Sequence, residues 1–162
     1  MEEKQVETEI EDANRRLVLS WIEDVLRKSA KTTEEWIGYA RLKAPDYWSE
    51  NYTAHHDPSA RGREGLLDRL TMLSTAFSDT EVEVLLLIAK GDMVADSLRI
   101  AASHTGHFLG VPPSGKRVSW LQNEIFRLKN GRIIEGWVTR DWLGLLKQLS
   151  APGGTGSPPA TK

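Results

Sequence analysis

The chain has 162 residues, of which 40% are hydrophobic and 27% charged, with a formal net charge of -2. That size suits one domain with a sizeable core, and the balance is that of a soluble globular protein. No basic patch points to nucleic acid, no apolar run is long enough to span a bilayer, and the lack of cysteine excludes disulfides and thiolate chemistry. The start, MEEKQVETEIED, is acidic and has no signal-peptide pattern, so a cytoplasmic protein is the expectation. Six tryptophans are the compositional oddity, and such residues line a core or a ligand pocket.

Residues 1–12 read as a charged flexible leader that frays or extends the first helix. From Ala13 the pattern is helical, with Leu17, Trp21, Ile22, Val25 and Leu26 on one stripe. Thr33 followed by Glu34 and Glu35 starts a second helix, limited by Pro45. Asn51 to Pro58 is polar, aromatic and histidine-rich, and suits a short strand or a loop. A third helix opens at Gly62-Arg63-Glu64-Gly65 and carries Leu66, Leu70, Leu73 and Phe77. Strands follow at Glu81–Ala89, Met93–His107, Arg117–Lys129 and Ile133–Arg140. Trp142–Leu149 closes as an amphipathic helix, and residues 150–162 form a Gly/Pro/Ser tail expected to be disordered. Helices first, then a meander of about four strands, make an α+β domain over residues 13–149.

The stretch FRLKNGRIIEGWVTRD, Phe126–Asp141, organises the site expectations. Asn130-Gly131 between two apolar runs is a hairpin signal. Ile133, Glu135, Trp137, Thr139 and Asp141 share one parity, which sets a carboxylate at a strand end beside a tryptophan. Asp141 then reads either as an acid/base group in an aromatic pocket or as the N-cap of the last helix. Glu135 and Glu124 read as salt-bridged residues on the outer face. Arg127 shares the parity of Asn123 and Ile125, and either closes an ion pair, binds a substrate carboxylate or carbonyl, or orients Asp141. His104 and His107 point to opposite faces of a strand, so they do not share a metal. His56, in the polar-aromatic segment, suits a neutral acid/base or carbonyl-binding role.

His104-Thr105-Gly106-His107-Phe108-Leu109-Gly110-Val111-Pro112-Pro113-Ser114-Gly115-Lys116 resembles the signature segment of the SnoaL-like polyketide cyclases, within the NTF2-like superfamily. Phe126-Arg127, Asn130 to Trp137, Asp141 and Leu145 to Leu149 continue the resemblance, which covers residues 14–149. It implies a cone-shaped barrel, with a curved, mostly antiparallel sheet wrapped around the N-terminal helices and an apolar pocket inside. It also implies cofactor-free, metal-free acid/base cyclisation or isomerisation of a polyketide- or terpenoid-like molecule in natural-product biosynthesis. A homodimer paired through the outer sheet face is implied too, with no nucleic-acid or membrane partner. In the characterised cyclases an aspartate after the E-x-W strand is the acid/base group, and Asp141 matches that position. Cyclase members carry a histidine where this chain has Arg127. The expected catalytic residues are therefore Asp141, His56 and Arg127, with Tyr52, His107, Trp120, Asn123 and Trp137 against the substrate. Epoxide opening or dehydration on the same fold is the alternative enzyme reading, and a non-catalytic ligand-binding or dimerisation module is the alternative of another class.

Overall fold

The computed structural model describes residues 2–151, so most of the expected tail, residues 152–162, lies outside the described residues. The elements in order are α1 (Glu2–Trp21), a π-helical turn (Ile22–Leu26), α2 (Thr33–Tyr47), β1 (Trp48–Ala54) and α3 (Gly62–Ala76). Then come β2 (Phe77–Lys90), β3 (Met93–His104), β4 (Arg117–Lys129), β5 (Arg132–Arg140) and α4 (Trp142–Ser150). The acidic stretch expected as a flexible leader belongs to α1. Glu11 explains this locally: its carboxylate accepts from the Gly91 N–H at 2.9 Å and meets Lys90 at 3.0 Å, which ties the helix to the β2–β3 turn. Thr32 caps α2 by accepting from the Glu35 N–H at 3.1 Å. Pro45 sits inside the last turn of that helix instead of ending it, and the chain passes straight from Tyr47 into β1.

The sheet has the order β1-β5-β4-β3-β2. The last four strands form the expected antiparallel meander, and β1 adds in parallel alongside β5. The expected barrel is corrected here: β1 and β2 do not pair, so the sheet is open with two edges. The strand boundaries also move, with β2 starting at Phe77 and β3 ending at His104. Asn130 (φ +52°) and Gly131 (φ +66°) make the β4–β5 turn, both in the left-handed region that this sequence pair favours.

Alternation along β3 and β4 separates the two faces of the sheet. Every second residue is buried, from Val94 to His104 on β3 and from Val118 to Leu128 on β4. The helices cover this inner face. Trp48 is the hub of the packing, with its ring 5.4 Å from Trp21, 4.8 Å from Tyr52 and 5.4 Å from Phe126, all edge-on. Tyr52 lies across β5 because residue 136 is glycine, where a Cβ would stand 2.3 Å from the phenol oxygen.

Candidate active site

Between the inner sheet face and the helices lies a cavity of about 510 Å³, within the range of small-molecule sites. Its apolar wall is made by Trp21, Trp36, Trp48, Leu66, Leu70, Leu73, Phe77, Ile100, Trp120, Phe126 and Val138. Lys28 to Thr33, Ser74 and Ser78 to Thr80 line it as well, mostly from exposed positions that form the mouth. The long helices therefore do more than cover the sheet. They leave space because α1 ends in the π-turn and α2 starts afresh at Thr33, so that the linker between them runs along the rim.

The polar groups on the inner sheet face come from β1, β3, β4 and β5, with His56 after β1. Gln122 and Glu124 stand two apart on β4 and are both buried. The Gln122 Nε2 donates to Glu124 Oε1 at 2.9 Å, and Arg140 Nε donates to Gln122 Oε1 at 2.7 Å. Directly across from Glu124 on β3 is Asp96, also buried. No N–H or O–H of another described residue donates to either Asp96 oxygen. The group facing it is the Glu124 carboxyl, and each disfavours a second negative charge beside it. Burial, followed by the Glu124 charge, pushes Asp96 up to about 9. Burial also raises Glu124, against the opposing pull of Arg140, Gln122 and Asp96. Tyr52 joins the cluster, its phenol held above the ordinary range by burial and then by Glu124. His56 lines the cavity edge, and desolvation followed by the Arg140 charge lowers its pKa, so its imidazole is neutral at pH 7. Among the described residues no three His, Asp or Glu side chains converge in metal-ligand geometry.

Of the residues singled out by sequence, the cavity collects Tyr52, His56 and Trp120. Asp141 is exposed and caps α4, with its Oδ1 accepting from the Gly144 N–H at 2.8 Å; it does not line the cavity. Arg127 lies on the outer face, paired with Glu135 at 3.2 Å and Asp92 at 3.4 Å. Trp137 is outside too, stacked on His55 with ring centroids 4.4 Å apart and with the Arg127 guanidinium 5.9 Å away. Asn123 is exposed on the same face, and His107 is exposed in the loop after β3. For the β5 residues the cause is a β-bulge. Arg127 pairs with Glu135, yet Leu128 pairs with Ile133, so Ile134 is an extra residue in β5. The bulge inverts the parity, turning Glu135, Trp137 and Thr139 outward and Gly136, Val138 and Arg140 inward.

Gln122, Glu124 and Arg140, which line the cavity, and Asp96 behind Glu124 are not among the site residues singled out by sequence. Their signal was present in part: Gln122 and Glu124 share parity with Val118, Trp120, Phe126 and Leu128, and Asp96 with Val94, Leu98 and Ile100. The expectation that charged residues lie outside overrode that alternation. Glu135 is outside as expected, bonded to His55 at 2.8 Å, whereas Glu124 is in the core.

Comparison with known proteins adds the family. The model of the SnoaL-like polyketide cyclases matches residues 28–149. The chain belongs to the SnoaL-like polyketide cyclase family. Two curated relatives are 32% identical over 98 residues, 60% of this chain: the aklanonic acid methyl ester cyclases DnrD of Streptomyces peucetius and DauD of Streptomyces sp. strain C5. The match spans 68% of the first relative and 61% of the second. Among solved structures, a SnoaL-like polyketide cyclase from Jannaschia sp. CCS1 is 27% identical with a TM-score of 0.74, over 89% of this chain and 96% of that one. IdmH from Streptomyces antibioticus, 22% identical, shares the fold with a TM-score of 0.69 over 85% of this chain and 99% of that one. The family is one of cyclases in natural-product biosynthesis, and the open α+β sheet is its NTF2-like fold.

The carboxyl pair gives stability a definite pH dependence. Asp96 binds its proton far more tightly in the folded chain than in the unfolded one, where its ordinary value is 3.8. Its stabilising contribution is complete below that value and is lost as pH rises toward about 9. Urea unfolding midpoints across this window are expected to fall with pH in the wild type and to vary less in Asp96→Asn, which cannot ionise. Parallel pH profiles for the two proteins would show that Asp96 is not a buried acid.

Proposed function

We propose that this chain closes a ring in a polyketide-like substrate by acid–base catalysis, with Glu124 as the proton-transfer group. The observation that carries the reading is one buried carboxyl, of raised proton affinity, opening into an apolar cavity of small-molecule size. As a carboxylate, Glu124 removes the proton α to a substrate carbonyl, and the electron pair moves onto that carbonyl oxygen. The enolate carbon then attacks a second carbonyl of the same molecule, forming the new C–C bond and an alkoxide. The Glu124 carboxyl returns its proton to the alkoxide, so atoms and charge balance without a redox partner. Conjugated carbonyls of the substrate spread the enolate charge, which removes the need for a metal.

The neighbours of Glu124 divide the remaining work. Gln122 fixes one carboxylate oxygen through its N–H, and Arg140 fixes the Gln122 amide by holding its carbonyl end. Asp96, protonated, supports Glu124 from the β3 side. The tryptophan-rich wall lowers the polarity around Glu124, in keeping with its raised proton affinity. Tyr52 and His56 stand at the same cavity with hydroxyl and neutral imidazole groups for substrate carbonyls.

Two substitutions separate this reading from one built on the strand-end aspartate. Glu124→Gln is expected to lower turnover of a cyclisable polyketide such as aklanonic acid methyl ester by about 10²- to 10⁴-fold, with circular dichroism unchanged. Asp141→Ala is expected to cost about 1 kcal/mol of stability through loss of a helix cap while turnover persists. Full activity in Glu124→Gln would remove it from the mechanism, and abolished activity in a folded Asp141→Ala would return the role to Asp141.

We also infer a homodimer through the outer sheet face. Ile88, Ala95, Ile125 and Trp137 form one cross-strand row there, and Ile88 and Ile125 are 55% and 44% exposed. Leu86 (52%) and Leu121 (46%) extend the apolar patch. A second copy would cover all of it through a two-fold axis. Sedimentation equilibrium is expected to give a dimer for the wild type and a monomer for Ile125→Lys. A wild-type monomer at micromolar concentration would end the inference.

A further inference from the structure

Tyr52, on β1, is buried, and its ring reaches across β5 so that the phenol oxygen rests on Gly136. A Cβ at residue 136 would meet that oxygen at 2.3 Å and the ring carbon Cζ at 3.1 Å. Glycine at this inward position of β5 therefore sets where the hydroxyl sits. The hydroxyl makes no hydrogen bond among the described residues, and it is not sealed from the cavity. The Glu124 and Arg140 charges both act on it, and both residues line the same cavity. The other donors deep in the cavity are engaged or out of reach. Gln122 donates to Glu124, and Arg140 is held on the Gln122 carbonyl with the negative charge of the Asp96–Glu124 pair as its partner. Arg69 is paired with Asp57. The indole N–H groups of Trp48 and Trp120 are sealed from solvent, so no ligand reaches them. His56 is exposed at the cavity edge.

A buried phenol without a partner costs free energy until something accepts from it. Burial, followed by the Glu124 charge, holds this one above the ordinary range, so it stays protonated and can only donate its hydrogen bond. A fixed donor aimed at an oxygen that gains charge stabilises the transition state more than the ground state. In the cyclisation, α-proton removal sends an electron pair onto a carbonyl oxygen, and that oxygen needs a donor that is not also the base. We propose that the Tyr52 hydroxyl donates to this carbonyl oxygen and so fixes which α carbon faces Glu124. The inference rests on the cyclase reading of the cavity, with Glu124 as the base. The Tyr52 O–H bond stays intact throughout. Glu124 takes the carbon-bound proton, the enolate oxygen holds its charge against the phenol, and the pair returns through the α carbon as the new C–C bond forms. The accepting group is a neutral carbonyl, of a ketone or an ester, before the reaction begins. Gly136 is a positioning residue for the same step, because only glycine leaves the hydroxyl its place.

Two probes of one shape test the donor without turnover: 2-acetylnaphthalene, which offers a carbonyl, and 2-ethylnaphthalene, which does not. Tyr52→Phe is expected to weaken the ketone about fivefold and to leave the hydrocarbon unchanged. The infrared carbonyl band of the bound ketone, carbon-13 labelled, should lie at a hydrogen-bonded frequency in the wild type and move to the free frequency in Tyr52→Phe. Gly136→Ala should move it too, because the methyl displaces a hydroxyl that is still present. With a cyclisable ester as substrate, Tyr52→Phe should lower kcat about 10²-fold with KM little changed. Glu124→Gln should lose turnover yet keep the shifted band, which separates the donor from the base. A fully active Glu124→Gln with the band still following Tyr52 would end the base assignment and leave the hydroxyl site standing. Should Tyr52→Phe fail to fold, the wild-type band still decides. A bound ketone at the free frequency in the wild type, or a shift that survives Tyr52→Phe and disappears in His56→Ala, overturns the inference. Failure of both probes to bind overturns the cavity reading and this inference with it.

Discussion

Two carboxyl groups facing each other across β3 and β4 in the interior impose the main constraint on this protein. Asp96 and Glu124 are cross-strand partners, both buried, and together they cannot hold two negative charges away from water. The fold offsets them with one amide donor and a guanidinium beyond it. Breaking any of those would leave an uncompensated buried charge, so the polar floor is fixed more tightly than packing alone would fix it. The aromatic wall and the polar floor depend on each other. Without the tryptophans the carboxyls would be solvated and ordinary, and without the carboxyls the cavity would be an apolar void with no chemistry.

Local signals made most of the fold legible in the sequence. Thr32 and the two glutamates after Thr33 mark the start of α2, Asn130-Gly131 marks the β4–β5 turn, and strict alternation marks β4. The parallel addition of β1 to β5 was not legible, because it joins segments about eighty residues apart and nothing local encodes it. The open sheet likewise depends on which strands end as edges. The site was legible only in part. Tyr52, His56 and Trp120 line the cavity, whereas the role expected of Asp141 depended on carrying a two-residue period through β5. One extra residue, Ile134, reverses that period. The hydrophobic pattern of a short half-buried strand does not announce a bulge, and the positions after it exchange faces together.

The bulge also divides the residues of β5 between two surfaces. Arg127 belongs to an ion-paired, aromatic outer surface, with His55, Glu135, Trp137 and Asp92. The inner surface of the same two strands carries Gln122, Glu124, Val138 and Arg140. The acid/base chemistry expected of a cyclase thus has a carboxyl available in the cavity, contributed by β4 and not by the end of β5. Asp141 caps α4 and stands outside the lining of the cavity.

The ionisation of Glu124 tests the account most directly. Carboxyl carbon-13 titration by NMR, with the Glu124 resonance assigned by comparison with Glu124→Gln, reads it in the intact protein. The account predicts that Glu124 titrates above its ordinary value of 4.5 and that Asp96 still holds its proton at neutral pH. Titration of both groups in the ordinary carboxylate range would contradict it, since two hydrated carboxylates are neither the buried acid of an apolar cavity nor a base tuned for α-proton removal.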